Sequence, residues 1–125
     1  HILMAKKILV VEDDNFLGGL VVTKLSKDGY SVTHAPDVKT ASEVLEKESP
    51  DCVLLDLVLP GTDGYGFLKK IRENLKFSKT PVIVFSNLAE EKDIEKAKEL
   101  GANEFMIKSN FTLDEVSAKI ATFVK

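Results

Sequence analysis

The strongest constraint on the fold is an alternation of short apolar runs with longer amphipathic stretches along the whole chain. The apolar runs are rich in β-branched residues and too short for helices, which is typical of strands buried in a parallel sheet. The amphipathic stretches repeat apolar residues at a helical spacing. This pattern predicts an α/β fold built from βα units. The predicted strands are Lys7–Val11, Tyr30–Ala35, Cys52–Leu55, Val82–Phe85 and Glu104–Ile107.

Capping and stop signals set the limits of the predicted helices. Asp37 is placed to cap the second helix and Pro50 to end it, while Gly29 and Gly101 are placed to end the first and the fourth. Gly18 and Gly19 lie inside the first helix, where close packing is the reason we can offer for them. The first, third, fourth and fifth helices are predicted to run from Asn15 to Asp28, from Gly64 to Asn74, from Glu90 to Leu100 and from Thr112 to Phe123, respectively.

Size and composition restrict the kind of protein. A chain of 125 residues is close to the usual size of one domain, so we expect one folding unit over residues 4–125 and interpret His1–Leu3 as a remnant of cloning. A net charge of −3 gives little support for direct nucleic-acid binding. Because the apolar runs are too short for a membrane span and Cys52 has no disulfide partner, we expect a cytoplasmic protein without membrane contact.

Polar side chains follow four of the predicted strands, at the point where each strand ends. They are Glu12 and Asp13 after the first strand, Asp56 after the third, Ser86 after the fourth and Lys108 after the fifth. Because the carboxyl ends of parallel strands share one edge of the sheet, where ligands bind in open α/β folds, we expect these side chains to meet. The sequence therefore predicts a single site.

The expected site suits phosphoryl transfer. Three carboxylates in one pocket repel each other unless a cation joins them, and oxygen ligands of this kind suit Mg²⁺ or Mn²⁺ more than Zn²⁺. Lys108 could pair with phosphoryl oxygens and Ser86 could donate a hydrogen bond to them. Asp56 would then be the nucleophile, since carboxylates form aspartyl phosphates.

Each of these residues, taken singly, also has a structural interpretation. Asp13 or Asp14 could cap the first helix, Asp56 could open the turn before Pro60, and Lys108 could be a solvated strand end. The coincidence of such charges at four strand ends favours the common site.

Four segments carry a family resemblance: Ile8–Asp14 (ILVVEDD), Leu54–Gly64 (LLDLVLPGTDG), Ile83–Ser86 (IVFS) and Gly101–Lys108 (GANEFMIK). They resemble the corresponding segments of response regulator receiver domains, and the resemblance covers nearly all of the chain from Ala5 to Lys125. The resemblance implies a flavodoxin-like, doubly wound (βα)5 sandwich of three layers, with a five-stranded parallel sheet in the order 2-1-3-4-5.

The resemblance also implies a role for each site residue. Asp56 is implied as the phosphoacceptor and as a Mg²⁺ ligand, Asp13 as a direct ligand, Glu12 as a ligand through water, and Val58 as a ligand through its backbone carbonyl. Asp14 is implied to lie outside the metal shell.

Three further residues are implied to respond to the phosphoryl group. Lys108 would bind a phosphoryl oxygen, Ser86 would be the switch hydroxyl, and Phe105 would be the coupled switch aromatic, whose simpler interpretation is an ordinary core residue. The chain departs from the family pattern at three positions: Ser109 where Pro commonly follows the lysine, Asn87 where Ala or Gly is common, and Phe105 where Tyr is frequent.

The resulting hypothesis is a phosphorylation-dependent switch of a two-component system. A sensor histidine kinase or a phosphotransfer protein would phosphorylate it, and a surface on the fourth helix, fifth strand and fifth helix would then act on a downstream effector or an output domain. A homodimer could form on phosphorylation. We expect the domain to promote only its own phosphorylation and dephosphorylation, and not to be an enzyme with an external substrate.

Two alternatives come from other classes. One is a pseudo-receiver that is not phosphorylated and acts as a protein-interaction module, for which Asn87 and Ser109 leave room. The other is a flavin or nucleotide binder or a small phosphotransfer hydrolase. It is disfavoured because the first strand is followed by three acids and not by a glycine-rich phosphate loop.

Overall fold

Five strands form one parallel sheet, as the alternation predicts. The computed structural model describes residues 4–125, except for the side chain of Thr62, so the expected cloning remnant lies outside the described residues. The order across the sheet is β2-β1-β3-β4-β5, which agrees with the order that the resemblance implies. In chain order the strands are β1 (Lys7–Val11), β2 (Ser31–Ala35), β3 (Cys52–Leu55), β4 (Val82–Ser86) and β5 (Glu104–Ile107).

A helix follows each of the five strands, and its limits agree with the prediction to within a few residues. Four helices begin at a side-chain cap, formed by Asp14, Asp37, Asp63 and Thr112, whose oxygens accept backbone hydrogen bonds of the first turn. The helices are α1 (Asn15–Lys27), α2 (Val38–Glu48), α3 (Gly64–Glu73), α4 (Glu91–Glu99) and α5 (Leu113–Phe123).

The helices cover both faces of the sheet, which gives the expected three layers. Alternate strand residues point to opposite faces, so each face contributes its own apolar set. Buried residues of α2, α3 and α4 pack with Leu9, Val53 and Val84 on one face. Buried residues of α1 and α5 pack with Val10, Leu54 and Ile83 on the other. Within residues 4–125, none of the helices combines the length and the apolar character that a membrane crossing requires.

Arg72, near the end of α3, joins this helix to the loop that follows it and to the more distant turn before β5. Its guanidinium donates to the carbonyl oxygens of Gly101 at 3.0 Å, Phe77 at 3.2 Å and Thr80 at 2.7 Å, and to Asn103 Oδ1 at 2.8 Å. Partial burial lowers the pKa of Arg72, but an arginine keeps its charge at any ordinary pH. This side chain therefore fastens the loop before β4 and the turn before β5 to α3.

We expect Arg72→Met to lower the free energy of unfolding by about 2–4 kcal/mol, because it leaves several backbone carbonyls without a charged donor. Urea denaturation measures this loss. Lys70→Met on the same helix is the matched control, since Lys70 is exposed and its replacement should change stability by less than about 0.5 kcal/mol. Equal effects of the two substitutions would contradict the role given to Arg72.

Candidate functional site

The register of the sheet brings the predicted strand-end residues to one edge. Val11 pairs with Leu55, and Leu55 pairs with Val84. Ser86 pairs with Ile107 at the end of β4 and β5. The residues that directly follow β1, β3 and β5 therefore emerge side by side at the carboxyl edge of the sheet.

An ammonium group and three carboxylates form the centre of this edge. Lys108 Nζ lies 2.7 Å from Asp56 Oδ2 and 2.7 Å from Glu12 Oε1. Carboxylate oxygens of Glu12, Asp13 and Asp56 lie within 4.8 Å of one another. Glu12 and Asp56 are buried, with 3% and 4% of their surface exposed, whereas Asp13 is exposed. Four of the five predicted strand-end side chains thus converge.

The cluster contains more acidic groups than basic groups. Burial raises the pKa of Glu12, although hydrogen bonds from Lys108 and from the backbone N–H of Asp14 oppose that rise. Burial alone would lower the pKa of Lys108, but its hydrogen bonds to Asp56 and Glu12 outweigh burial and raise it. Lys108 is therefore a stable cation. Counted by formal charge, three carboxylates face this one ammonium, an excess of two negative charges.

The two acids that follow Glu12 have different environments. Asp14 Oδ1 accepts hydrogen bonds from the backbone N–H groups of Phe16 at 2.9 Å and Leu17 at 3.1 Å, so Asp14 is the cap of α1. Asp13 belongs to the carboxylate cluster. Of the two acids that the sequence offered as the helix cap, Asp14 has that role, which leaves Asp13 for the site.

Asp56 has a structural contact as well as its place in the cluster. Its Oδ1 accepts a hydrogen bond from the backbone N–H of Val58 at 3.0 Å, while its Oδ2 contacts Lys108. The interpretation of Asp56 as a turn residue is therefore correct and compatible with a role in the site. Beyond this turn, Val58–Leu59 and Thr62–Asp63 form a short antiparallel hairpin, which the sequence predicted only as turns.

Gly64 holds this loop against the start of α3. Its N–H donates to the carbonyl oxygen of Leu57 at 3.2 Å, and a Cβ added to it would lie 2.6 Å from Leu57 Cα. Any other residue here would push on the backbone that follows Asp56. The sequence indicated a turn at Asp63-Gly64 but not this close contact.

Ser86, the fifth of these residues, is buried as the last residue of β4. Its hydroxyl is fully buried, and its Oγ accepts a hydrogen bond from the backbone N–H of Leu88 at 3.4 Å. Its neighbour Asn87 instead reaches the cleft at the carboxyl edge, which has a volume of about 280 Å³. The cleft is lined by Glu12, Asp13, Asp14, Asp56, Val58, Asn87 and Lys108.

Phe105 and Ser109 lie on either side of Lys108. Phe105 on β5 pairs with Val84 on β4. Its side chain is partly buried against the core between the sheet and helices α2, α3 and α4. Its environment is that of a core aromatic at the margin of the sheet. Ser109 belongs to a short 3₁₀ turn, Lys108–Asn110. Lys108 thus contacts both buried acids, Glu12 and Asp56, although Ser109 and not proline follows it.

Sequence reasoning missed His34, a residue of β2 next to the site. Its Nε2 lies 2.6 Å from the backbone carbonyl oxygen of Glu12. The signal that could have found it is Gly18 in α1, because a Cβ there would overlap the His34 ring. A glycine inside a helix is a signal of close packing, and of Gly18 and Gly19 only Gly18 has such a contact.

Comparisons with known proteins find relatives of this chain in one family. The family model of the response regulator receiver domain matches residues 8–121. The transcriptional regulatory protein KdpE of Staphylococcus aureus is 38% identical over 117 residues, which are 94% of this chain and 49% of KdpE. The transcriptional regulatory protein YxdJ of Bacillus subtilis is 37% identical over 95% of this chain and 50% of its own length. The chain spans about half the length of these relatives.

Solved structures with the same fold are also found. The BeF3-activated N-terminal receiver domain of Klebsiella pneumoniae RstA has a TM-score of 0.88 at 29% identity, with 96% of this chain and 99% of that chain covered. The chemotaxis protein CheY4 of Vibrio cholerae has a TM-score of 0.90 at 22% identity, with 96% and 99% covered, and supports the fold alone.

Proposed function

The chain belongs to the response regulator receiver domain family of two-component signalling, and from this premise we propose that it is a phosphorylation-dependent switch whose Asp56 accepts a phosphoryl group. The observation that carries the proposal is the placement of Lys108, 2.7 Å from both Asp56 and Glu12, with the Asp13 carboxylate in the same cluster. A buried nucleophile, a fixed cation and acidic ligands are the parts that phosphoryl transfer needs.

The donor set fits Mg²⁺. All three clustered ligands are carboxylates, their oxygens lie within 4.8 Å of one another, and two negative charges are left after Lys108 is counted. Hard divalent cations prefer such oxygen ligands. Asp13, Asp56 and the Val58 carbonyl would hold the ion directly and Glu12 through water, and Mn²⁺ could replace Mg²⁺. When bound, the ion would neutralise the phosphoryl oxygens.

The chain's own residues would act as follows. A carboxylate oxygen of Asp56 attacks phosphorus, the new O–P bond forms, and the bond between phosphorus and the donor breaks with its electron pair going to the donor. Lys108 exchanges its contact with Asp56 for one with a phosphoryl oxygen, which balances the charge that the group brings. Water later attacks phosphorus, the bond between Asp56 and phosphorus breaks with its electron pair going to the carboxylate, and inorganic phosphate leaves. The domain would therefore promote only its own phosphorylation and dephosphorylation.

The response would pass through Ser86 and Phe105. We propose that the Ser86 hydroxyl leaves its contact with the Leu88 N–H and turns toward the phosphoryl group, and that Phe105 follows. Support comes from the short path: Ser86 is one residue from Asn87 in the cleft wall, and β4 pairs with β5 at Val84 and Phe105. Such a change shifts an existing equilibrium between two surfaces.

The proposed partners are a sensor histidine kinase or phosphotransfer protein as donor, and an effector protein or output domain as receiver of the signal. The surface that changes would be formed by α4, β5 and α5, and it could also join two phosphorylated copies. A cytoplasmic location fits these partners. The names of the half-matching relatives describe transcriptional regulators, so control of transcription is one output that this domain would serve.

The test uses purified protein and a small phosphodonor such as phosphoramidate. With Mg²⁺, intact-mass spectrometry should show one adduct of about 80 Da, the mass of a phosphoryl group, and an excess of EDTA should prevent it. Absence of the adduct in the presence of Mg²⁺ would contradict the proposal and would favour the pseudo-receiver, an interaction module that is not phosphorylated.

A further inference from the structure

We infer that His34 is a positioning residue for the acids of the site: its ring holds the backbone of Glu12, and Gly18 leaves the space that the ring occupies. The inference rests on the proposed function, since it concerns the same carboxylates.

The contact between His34 and Glu12 fixes one peptide group. The Nε2 atom lies 2.6 Å from the Glu12 carbonyl oxygen. A carbonyl oxygen only accepts hydrogen bonds, so Nε2 must carry the hydrogen. On its other side, the Glu12 N–H donates to the carbonyl oxygen of Ala35 at 3.0 Å. Two neighbouring residues of β2 therefore hold Glu12 from both ends.

This peptide group joins Glu12 and Asp13, two of the acids proposed as metal ligands. The Glu12 carbonyl is bonded to the nitrogen of Asp13, so rotation of the peptide plane would move Asp13 and would change the direction of the Glu12 side chain. Glu12 is also one of the two acids that Lys108 contacts at 2.7 Å. Groups that orient metal ligands from behind affect metal affinity by about 10–100-fold. We assign this role to His34, although it does not touch the cleft.

Gly18 supports the assignment independently. It is buried in α1, and a Cβ built on it would overlap Cε1 of His34 and lie 3.0 Å from its Nδ1. A glycine inside a helix costs about 1 kcal/mol relative to alanine. Gly19, its neighbour, has nothing within 4 Å of an added Cβ. The need for space is therefore specific to position 18, where the ring lies.

Two substitutions of His34 separate positioning from packing. His34→Phe keeps a ring against Gly18 but removes the donor, whereas His34→Gln keeps a donor at a similar reach. We expect His34→Phe to weaken Mg²⁺ binding about tenfold, to slow phosphorylation by phosphoramidate and to shift the amide resonance of Asp13. His34→Gln should restore most of the affinity and rate. The measurements are a Mg²⁺ titration followed by amide chemical shifts and initial rates from intact mass.

A second pair of variants keeps the test decisive if His34→Phe does not fold. Gly18→Ala should push the ring away from Glu12 and weaken Mg²⁺ binding, whereas Gly19→Ala should bind Mg²⁺ as the unchanged protein does. The inference is overturned if His34→Phe or Gly18→Ala leaves Mg²⁺ affinity unchanged, or if His34→Gln is as impaired as His34→Phe. Failure of the unchanged protein to bind Mg²⁺ and to be phosphorylated would overturn the proposed function as well.

Discussion

Asn in place of Asp56 should leave no phosphoryl adduct under conditions that fully label the unchanged protein. The amide oxygen can still accept the hydrogen bond from the Val58 N–H, which Asp56 accepts at 3.0 Å, so the loop should keep its shape. The amide is not a competent nucleophile, however, and it loses the charge that faces Lys108. Intact-mass spectrometry after treatment with Mg²⁺ and phosphoramidate measures the result.

Asp51→Asn is the matched control for this substitution. Asp51 lies at the other end of β3, is exposed, and accepts a hydrogen bond from the backbone N–H of Lys7 at 2.8 Å. Its replacement should leave phosphorylation unchanged. A labelled Asp56→Asn protein would contradict the assignment of the nucleophile.

Replacement of Lys108 by Met should change phosphorylation and metal binding in opposite directions. Phosphorylation should slow by about 10²–10³-fold, because a fixed donor to the developing charge is lost. Mg²⁺ affinity should rise, because in the unchanged protein Lys108 lies 2.7 Å from Glu12 and Asp56, neutralises them and competes with the ion. Initial rates from intact mass and a Mg²⁺ titration followed by amide shifts measure the two effects.

Lys119→Met provides the comparison for the lysine substitution. Lys119 lies on α5, its Nζ lies 3.8 Å from Glu104 Oε2, and both side chains are more than one third exposed. Neither rate nor affinity should change. If Lys108→Met instead lowered both, the lysine would be supporting the fold of the site and not balancing charge within it.

The sequence could predict that the polar residues directly after the strands lie close together. Asp56 and Lys108 directly follow β3 and β5, and parallel pairing brings such positions to one edge whatever the helices do. Strand ends alone could not decide between Asp13 and Asp14, because both are acids next to a helix start, and only the family resemblance implied Asp13 as the ligand. Only the backbone geometry, with Asp14 Oδ1 at 2.9 Å from the Phe16 N–H, decides which one is the cap.

Contacts between distant segments account for what the sequence did not reveal. His34 belongs to an edge strand in which a histidine carries no pattern, and its partner is a backbone carbonyl. Arg72 likewise binds backbone carbonyls that lie up to 29 residues away. A carbonyl has no residue identity, so no sequence motif can mark it as a partner.

Periodicity also overstates burial in the first half of α1. Phe16 and Leu20 continue the apolar spacing of α1, yet 77% and 44% of their surfaces are exposed, while Val21 and Leu25 are buried. The first turn of α1 follows the acidic loop directly, at the edge of the sheet. Helical spacing identifies which residues share a face but not how far the covering layer extends.

The assignment of Asp56 is tested most directly by locating the phosphoryl group on the unchanged protein. Protein phosphorylated with phosphoramidate and Mg²⁺ can be reduced with sodium borohydride, which converts an aspartyl phosphate to homoserine, and then mapped by peptide mass spectrometry. We expect homoserine at position 56 and at no other acid. Homoserine at position 13, or a phosphoryl group that resists borohydride because it is not an acyl phosphate, would contradict Asp56 as the phosphoacceptor.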